Sequence, residues 1–467
     1  MKVSKAPVLA GLLLLLCLSL WGCAAKATAT ASAPDAQQVS FRAPEPVETP
    51  EPLDLDLSDR TFSQLTEELP GMAGLRTATL APNSLQPEEL GQLQALRPDV
   101  TFVYRFTVNG QEAGLDTASL DLTAADTDTL RAWFRWAAYM PSLRTVELGE
   151  GAAEDGRVPW TELAALRKAR PDVHVLYRFT LYGKSFELGD SEMNFSHTWM
   201  TDQGELVKAV ADCMPNLRFL DMDFCGVDDE HMAAIRDSLP ECEVVWRIWF
   251  GDTDNGRAGY SVRTNVDRIL ASNPGIGGEL TPENTQSLKY CTKVKYLDLG
   301  HNSYMRSIEF VRYMPDLEAV VLAMGNWYDA SPLENCTKLR YAELQTTCLS
   351  DLRPLSKLKN LTDLNICYCF ALHDISPLYE LPQLKRLYIG VLTPVPAEQV
   401  ERMREIAPDC EIDTTLVDPT QGNWRVKPGF NEFGQTEYTD AYAWLREVMH
   451  YEEAPASYAY CYNDPLY

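Results

Sequence analysis

Five segments between Lys293 and Leu392 place apolar residues at their first, fourth and sixth positions. They begin Val294-Lys-Tyr-Leu297-Asp-Leu299, Leu317-Glu-Ala-Val320-Val-Leu322, Leu339-Arg-Tyr-Ala342-Glu-Leu344, Leu361-Thr-Asp-Leu364-Asn-Ile366 and Leu384-Lys-Arg-Leu387-Tyr-Ile389. Their first positions lie 23, 22, 22 and 23 residues apart. A unit this short cannot bury its apolar side alone. A fixed period therefore forces stacking, with each unit adding one parallel strand to a common sheet. Pro332-Leu333, Pro354-Leu355 and Pro377-Leu378 recur on the return side of each unit. Proline fixes φ and lacks a donor, which predicts a tight 3₁₀ or extended return rather than a full helix.

Earlier fits to the same pattern begin at Leu75, Leu143 and Leu217, spaced 68 and 74 residues apart, with Val294 77 residues further on. The filler between them also repeats. Arg97-Pro-Asp-Val-Thr-Phe-Val-Tyr-Arg-Phe-Thr-Val-Asn-Gly110 returns 73 residues later as Arg170-Pro-Asp-Val-His-Val-Leu-Tyr-Arg-Phe-Thr-Leu-Tyr-Gly183. A weaker copy runs from Pro240 to Gly251. Alternating apolar residues predict a strand in each copy, with a second short strand at Ser119–Leu122 and Glu192–Phe195. Helices are expected before the filler, at Pro87–Leu96 and Trp160–Ala169.

The run Leu297-Asp-Leu299-Gly-His-Asn302 matches the LxLxxN core of the leucine-rich repeat family, which the short units resemble. The resemblance implies an α/β solenoid: a curved parallel sheet, helices and 3₁₀ or extended returns on the convex side, and a C-terminal cap. Long units mixed with short repeats look similar to exported leucine-rich repeat proteins of Gram-positive bacteria, and Tyr260-Ser-Val-Arg-Thr264 is a phrase of that group. The Pro-Leu phase resembles the internalin-like subtype. Cys225 and Cys369 fall at the repeat's ninth position, where the family accepts Cys in place of Asn.

The N-terminus predicts export. Lys2 and Lys5 precede the apolar run Val8–Leu20, too short to span a bilayer comfortably and placed like a secretory h-region. It ends in Leu20-Trp21-Gly22-Cys23, which looks like a bacterial lipobox and implies acylation at Cys23; Trp21 departs from the small or β-branched residues usual there. Residues 1–22 are thus the expected signal peptide, and 23–55 an Ala/Pro/Glu linker too poor in apolar residues to fold. Residues 56–290 form the enlarged units and 291–412 the short repeats. Residues 413–467 form a cap or tail, with an amphipathic helix from Tyr438 to Glu452.

The formal net charge of −26 excludes partners that need a basic patch, nucleic acid and anionic lipid surfaces among them. Contact with a membrane is expected only through the lipid anchor. Strand side chains alternate, so the third and fifth positions of each unit face outward on the concave side. The column Phe219, Asp221, Tyr296, Asp298, Tyr341, Glu343, Asp363, Asn365, Arg386 and Tyr388 pairs aromatics with acids. That chemistry suits a basic or sugar-bearing ligand, so these are the candidate ligand-binding residues.

Cys348 and Cys369, near one level of adjacent turns, are the candidate disulfide. Cys367-Tyr-Cys369 has the wrong spacing for a zinc knuckle, and the six histidines are scattered, so no metal or cofactor is expected. HExxH, GxSxG, P-loop and GxGxxG motifs are absent, and no catalytic residue is assigned. The leading expectation is a non-catalytic, surface-anchored protein that binds a protein or glycan outside the cell through the concave face. A structural spacer of the envelope is the second reading, and an unrecognised envelope enzyme the third.

Overall fold

The computed structural model describes residues 53–251, 259–272, 279–415, 417–418 and 423–452. The predicted signal peptide, Cys23 and nearly all of the linker lie outside them. The first described strand, Leu53–Asp56, already pairs with Leu75–Thr79, so the fold begins slightly before Asp56.

Parallel strands form four ladders. Three have three strands each: Leu53–Asp56, Leu75–Thr79 and Thr101–Val103; Ser119–Asp121, Thr145–Ala152 and His174–Leu181; Glu192–Asn194, Phe219–Asp221 and Glu243–Val245. The fourth has seven: Arg268–Leu270, Tyr296–Asp298, Ala319–Val321, Tyr341–Glu343, Asp363–Asn365, Arg386–Tyr388 and Glu411–Asp413. Register is set by burial. In each short repeat the fourth-position side chain (Leu297, Val320, Ala342, Leu364 and Leu387) is fully enclosed, and a one-residue slip would turn it outward. Each enclosed leucine contributes roughly 1.5–3 kcal/mol over leaving it in water.

What the sequence presents as filler is part of the ladder. Thr101–Val103 pairs in parallel with Thr77–Thr79, and His174–Leu176 with Thr145–Glu147. The chain then runs straight on into an antiparallel hairpin, Arg105–Val108 with Gln111–Gly114, Arg178–Leu181 with Lys184–Glu187, and Arg247–Phe250 with Tyr260–Arg263. An enlarged unit is therefore three strands of the ladder closed by a hairpin. The first two hairpins turn on Asn109-Gly110 and Tyr182-Gly183, all four residues at positive φ, the tight turn whose twist suits paired strands. Hairpin aromatics face the returns: the Phe106 ring stacks on Trp136 with centroids 3.9 Å apart.

Arg97 and Arg170, the first residues of the repeated phrase, do the same work. Arg97 donates to the Leu69, Met72 and Leu75 carbonyls, and Arg170 to those of Ala137, Met140 and Leu143, answering carbonyls left over at the preceding turn.

Returns in the first three ladders include the α-helices Pro87–Leu96 and Trp160–Ala169, as the periodicity predicts. Those of the fourth are 3₁₀ turns, Ser331–Asn335, Arg353–Lys357 and Ser376–Glu380 among them, with Pro332, Pro354 and Pro377 in their first turn. The last return thickens again to the α-helix Ala397–Ile406.

Candidate functional site

The concave column is organised around Glu343, whose side chain is wholly enclosed. Its carboxylate accepts from Tyr341 Oη at 2.5 Å, Trp424 Nε1 at 2.8 Å, Arg425 Nε at 3.0 Å and Gln345 Nε2 at 3.1 Å, and Arg425 Nη2 donates as well. Burial alone would raise the Glu343 carboxyl, but the Arg425 guanidinium and these donors outweigh it and hold the group below the ordinary glutamate range. Burial, then the adjacent carboxylate, push the Tyr341 hydroxyl well above its usual value.

Trp424 and Arg425 belong to the C-terminal segment. It lies on the concave face and continues as the helix Asp440–Met449, with Thr439 as N-cap. Trp424 sits between Tyr341 and Tyr388, ring centroids 5.3 and 5.0 Å away, with the Arg386 guanidinium 4.4 Å from its ring centre. Arg386 is fixed by Asp363 at 2.5 Å and donates to the Asn423 and Trp424 carbonyls. Tyr388 Oη donates to Glu411 at 2.8 Å. Asn365 is buried, and its side chain accepts from the Cys367 amide at 3.1 Å. At the far end of the helix, Trp444 meets Tyr296 edge-on at 6.2 Å, Tyr451 Oη donates to Asp298 at 2.6 Å, and Arg268 donates to the Val448 carbonyl at 2.9 Å. That last contact sets a cation against the negative end of the helix dipole. Burial raises the Asp298 carboxyl, against the lowering by Tyr451 and the Gly300 amide.

The concave strip is therefore not the open ligand face that the outward positions suggest. From Asp298 to Tyr388 the chain's own C-terminal segment fills it. The chemistry expected of the strip is present, with aromatics and acids receiving a cation, but the cation is Arg425. Asp221 is also taken: Arg263 donates to it at 2.8 Å, while Arg247 pairs with Asp223 at 3.1 Å and lies 4.9 Å from the Phe224 ring centre. Phe219 stays half-exposed beside them. A cleft of about 540 Å³ at the seam between cap and sheet brings Asp363 and Arg386 together with Arg340, Glu411, Lys427 and Trp444. Cys348 and Cys369 are both free thiols: Cys348 is exposed, whereas Cys369 turns into the core, its Sγ 3.5 Å from Thr347 Oγ1 and 3.5 Å from the Leu344 carbonyl.

A second row was not anticipated. Two residues past the sixth position, six turns take a left-handed backbone, at His197, Phe224, His301, Met324, Thr346 and Tyr368, with φ between 55° and 62°. Glycine would sit there without strain; each larger residue costs roughly 1 kcal/mol. The amides of His301, Met324 and Thr346 continue the ladder by donating to the next repeat at 2.9, 3.0 and 2.8 Å. Beneath this row Asn302, fully buried, donates to the Ala271, Leu299 and Gly300 carbonyls at 3.0, 2.9 and 3.1 Å.

A parallel ladder at a period of 22–23 residues, 3₁₀ returns on its other side and a buried asparagine bonding the turn carbonyls define a leucine-rich repeat solenoid. No family model and no curated protein matches the chain. Among solved structures it is similar to an internalin from Listeria monocytogenes at 15% identity, over 74% of this chain and 77% of that one, with a TM-score of 0.28. An internalin C2 of the same organism is 18% identical over 56% and 88% of the two chains (TM-score 0.23), and a leucine-rich repeat protein of Leptospira interrogans 14% over 77% and 95% (TM-score 0.21). The class rests on the chain's own register and turn bonding rather than on these superpositions. Among the described residues, no group of three or more His, Cys, Asp or Glu side chains is placed to hold a metal ion, and no helix is long and apolar enough to cross a membrane.

Proposed function

We propose that this chain is an exported, lipid-anchored, non-catalytic recognition protein whose solenoid engages a protein or glycan partner outside the cell. The observation that carries the reading is the contrast between saturated and open surface. The polar groups suited to chemistry, Glu343, Asp298 and Arg386, are each engaged by the chain's own side chains and carbonyls. By contrast, the outward strand positions Thr79, Thr101, Asp121, Glu147, His174 and Glu192 are exposed on successive strands, an extended recognition surface rather than a reaction pocket. The lipobox-like Leu20-Trp21-Gly22-Cys23 after a basic, apolar leader supports attachment to the outer face of the membrane. The test is affinity capture of envelope components by the full chain, followed by mass spectrometry. Specific retention of one protein or glycan is expected, and clean retention of none would refute the reading. The spacer reading is favoured by one observation, the C-terminal segment bonded across the concave face; it predicts that nothing is retained.

A further inference from the structure

A recognition role does not confine the partner to the exposed outward strand positions, and a second candidate surface rests on that role. All strands of the ladders run parallel, so the turns that follow them line up along one edge of the solenoid. Six large exposed aromatics gather there: Trp199, Phe224, Trp249, Tyr304, Tyr328 and Phe370 all lie in turns or in the hairpin that follows a strand. Trp199 is 73% exposed, Tyr328 66% and Phe370 60%, values at which a ring face is open to contact. Trp199 is also seated. A Cβ at Gly226 would come within 2.6 Å of its ring, so the indole lies against the backbone of the next turn with its other side to solvent. His197 stacks on Phe224 with centroids 4.9 Å apart, and Phe224 meets Trp249 edge-on at 6.4 Å.

Two further observations bear on what such an edge takes. The left-handed turn position is filled by His197, Phe224, His301, Met324 and Tyr368, where glycine would be unstrained, so bulk is kept on this edge against a backbone cost. The turns 196–204, 223–228, 300–308, 323–330, 345–352 and 367–375 carry six acids and one arginine, and of the acids Asp223 is already paired with Arg247. The chain also shows what its own rings accept, since Arg247 covers Phe224, Arg386 covers Trp424 and Arg340 covers Trp444, at 4.9, 4.4 and 4.1 Å. An acidic edge set with upturned aromatic faces is complementary to guanidinium and ammonium groups.

We infer that this turn edge is a docking surface for an extended, arginine- or lysine-rich segment of a partner protein. The cationic side chains lie over Trp199, Trp249, Tyr328 and Phe370, and the turn carboxylates supply the steering field.

The test measures binding of a labelled nona-arginine peptide to the full chain in nonionic detergent. Three proteins are compared: the unaltered chain, a variant carrying Trp199→Ala, Trp249→Ala, Tyr328→Ala and Phe370→Ala, and the control Tyr313→Ala, an exposed ring on a return. The four changes leave every charge in place, and unchanged thermal unfolding confirms the fold. Loss of the four ring faces is expected to weaken the peptide by at least about tenfold, with the control unaffected. Equal binding by all three overturns the proposal, because charge alone then suffices. Ring-dependent binding of neutral chitohexaose with no peptide binding also overturns it, in favour of a glycan. If the four-ring variant still captures the envelope partner, the edge is refuted and the recognition reading survives. Tight, ring-dependent peptide binding with no captured partner upholds the edge and refutes that reading.

Discussion

Replacing Arg425 by alanine removes two of the five donors on the Glu343 carboxylate and, among the described residues, the only cation bonded to it, leaving Tyr341, Trp424 and Gln345. Each charge-assisted bond to an enclosed group contributes about 1.5–3 kcal/mol. Breaking a buried pair from one side costs about 3–5 kcal/mol, because the remaining charge stays desolvated. A loss of about 4 kcal/mol is therefore expected. It falls on the cap, because lifting residues 423–452 off the sheet is the route by which Glu343 regains water. In hydrogen exchange, amides of the helix Asp440–Met449 should lose about a thousandfold of protection, at about 1.4 kcal/mol per decade, while those of Ala342 and Leu364 change little. Adding Glu343→Gln removes the stranded charge, so the double variant should regain at least about 2 kcal/mol of the loss. A fall in helix protection of less than about tenfold, or a double variant less stable than Arg425→Ala, would refute the buried pair as the lock of the cap.

Acid should open the same cap. A carboxyl held below its ordinary value contributes stability above that value and loses it as pH falls, so cap protection should decline below the usual glutamate value of 4.5, and Glu343→Gln should abolish the decline. Asp298 has the opposite sign: raised by burial, its contribution is lost as pH rises, and Asp298→Asn should flatten that part of a stability–pH profile measured by urea unfolding. Asn302→Ala strands three turn carbonyls and should lower stability by about 1–3 kcal/mol, read from the urea midpoint at constant slope. Cys348 is exposed, whereas burial pushes Cys213, Cys336 and Cys367 up to about 12; Cys348→Ser should remove one thiol from the fast phase of native reaction with DTNB, and an unchanged fast phase would contradict its exposure. Cys23→Ser should abolish palmitate labelling and release the chain from membranes; retained label would remove the anchor from the proposal.

The ladder was legible because its information is periodic. Leu297, Val320, Ala342, Leu364 and Leu387 recur at a spacing only a stacked sheet can use, and Pro332, Pro354 and Pro377 mark the returns. The membership of Thr101–Val103 and His174–Leu176 in the ladder was less visible. Each runs without punctuation into a hairpin, so one long alternating strand conceals two roles with different partners. That the outward positions of Tyr341, Glu343 and Arg386 combine aromatics with an acid suited to a cation was readable from residue type. That Arg425 supplies the cation was not. Arg425 lies 82 positions after Glu343 with no periodicity that links the two, and Trp424-Arg425 lies in a turn-rich stretch whose local pattern gives no hint of its destination. The available hint was the amphipathic helix after Tyr438, whose apolar side needed a surface; Tyr442, Leu445 and Met449 are buried on the sheet.

The position of the cap has a consequence for the order in which this chain can mature. Asp298, Glu343 and Asp363 sit in strands made well before their covering residues, so a chain made N-terminus first leaves them uncovered until residues 423–452 arrive. Arg425 and Tyr451 answer two of those acids from the far end of the sequence. The ladder from Arg268 to Tyr388 can stack beforehand, yet its concave side closes only once residues 423–452 are made, and until then it is an open, acidic groove. The state of the middle repeats thus reports whether residues 423–452 have been made and docked.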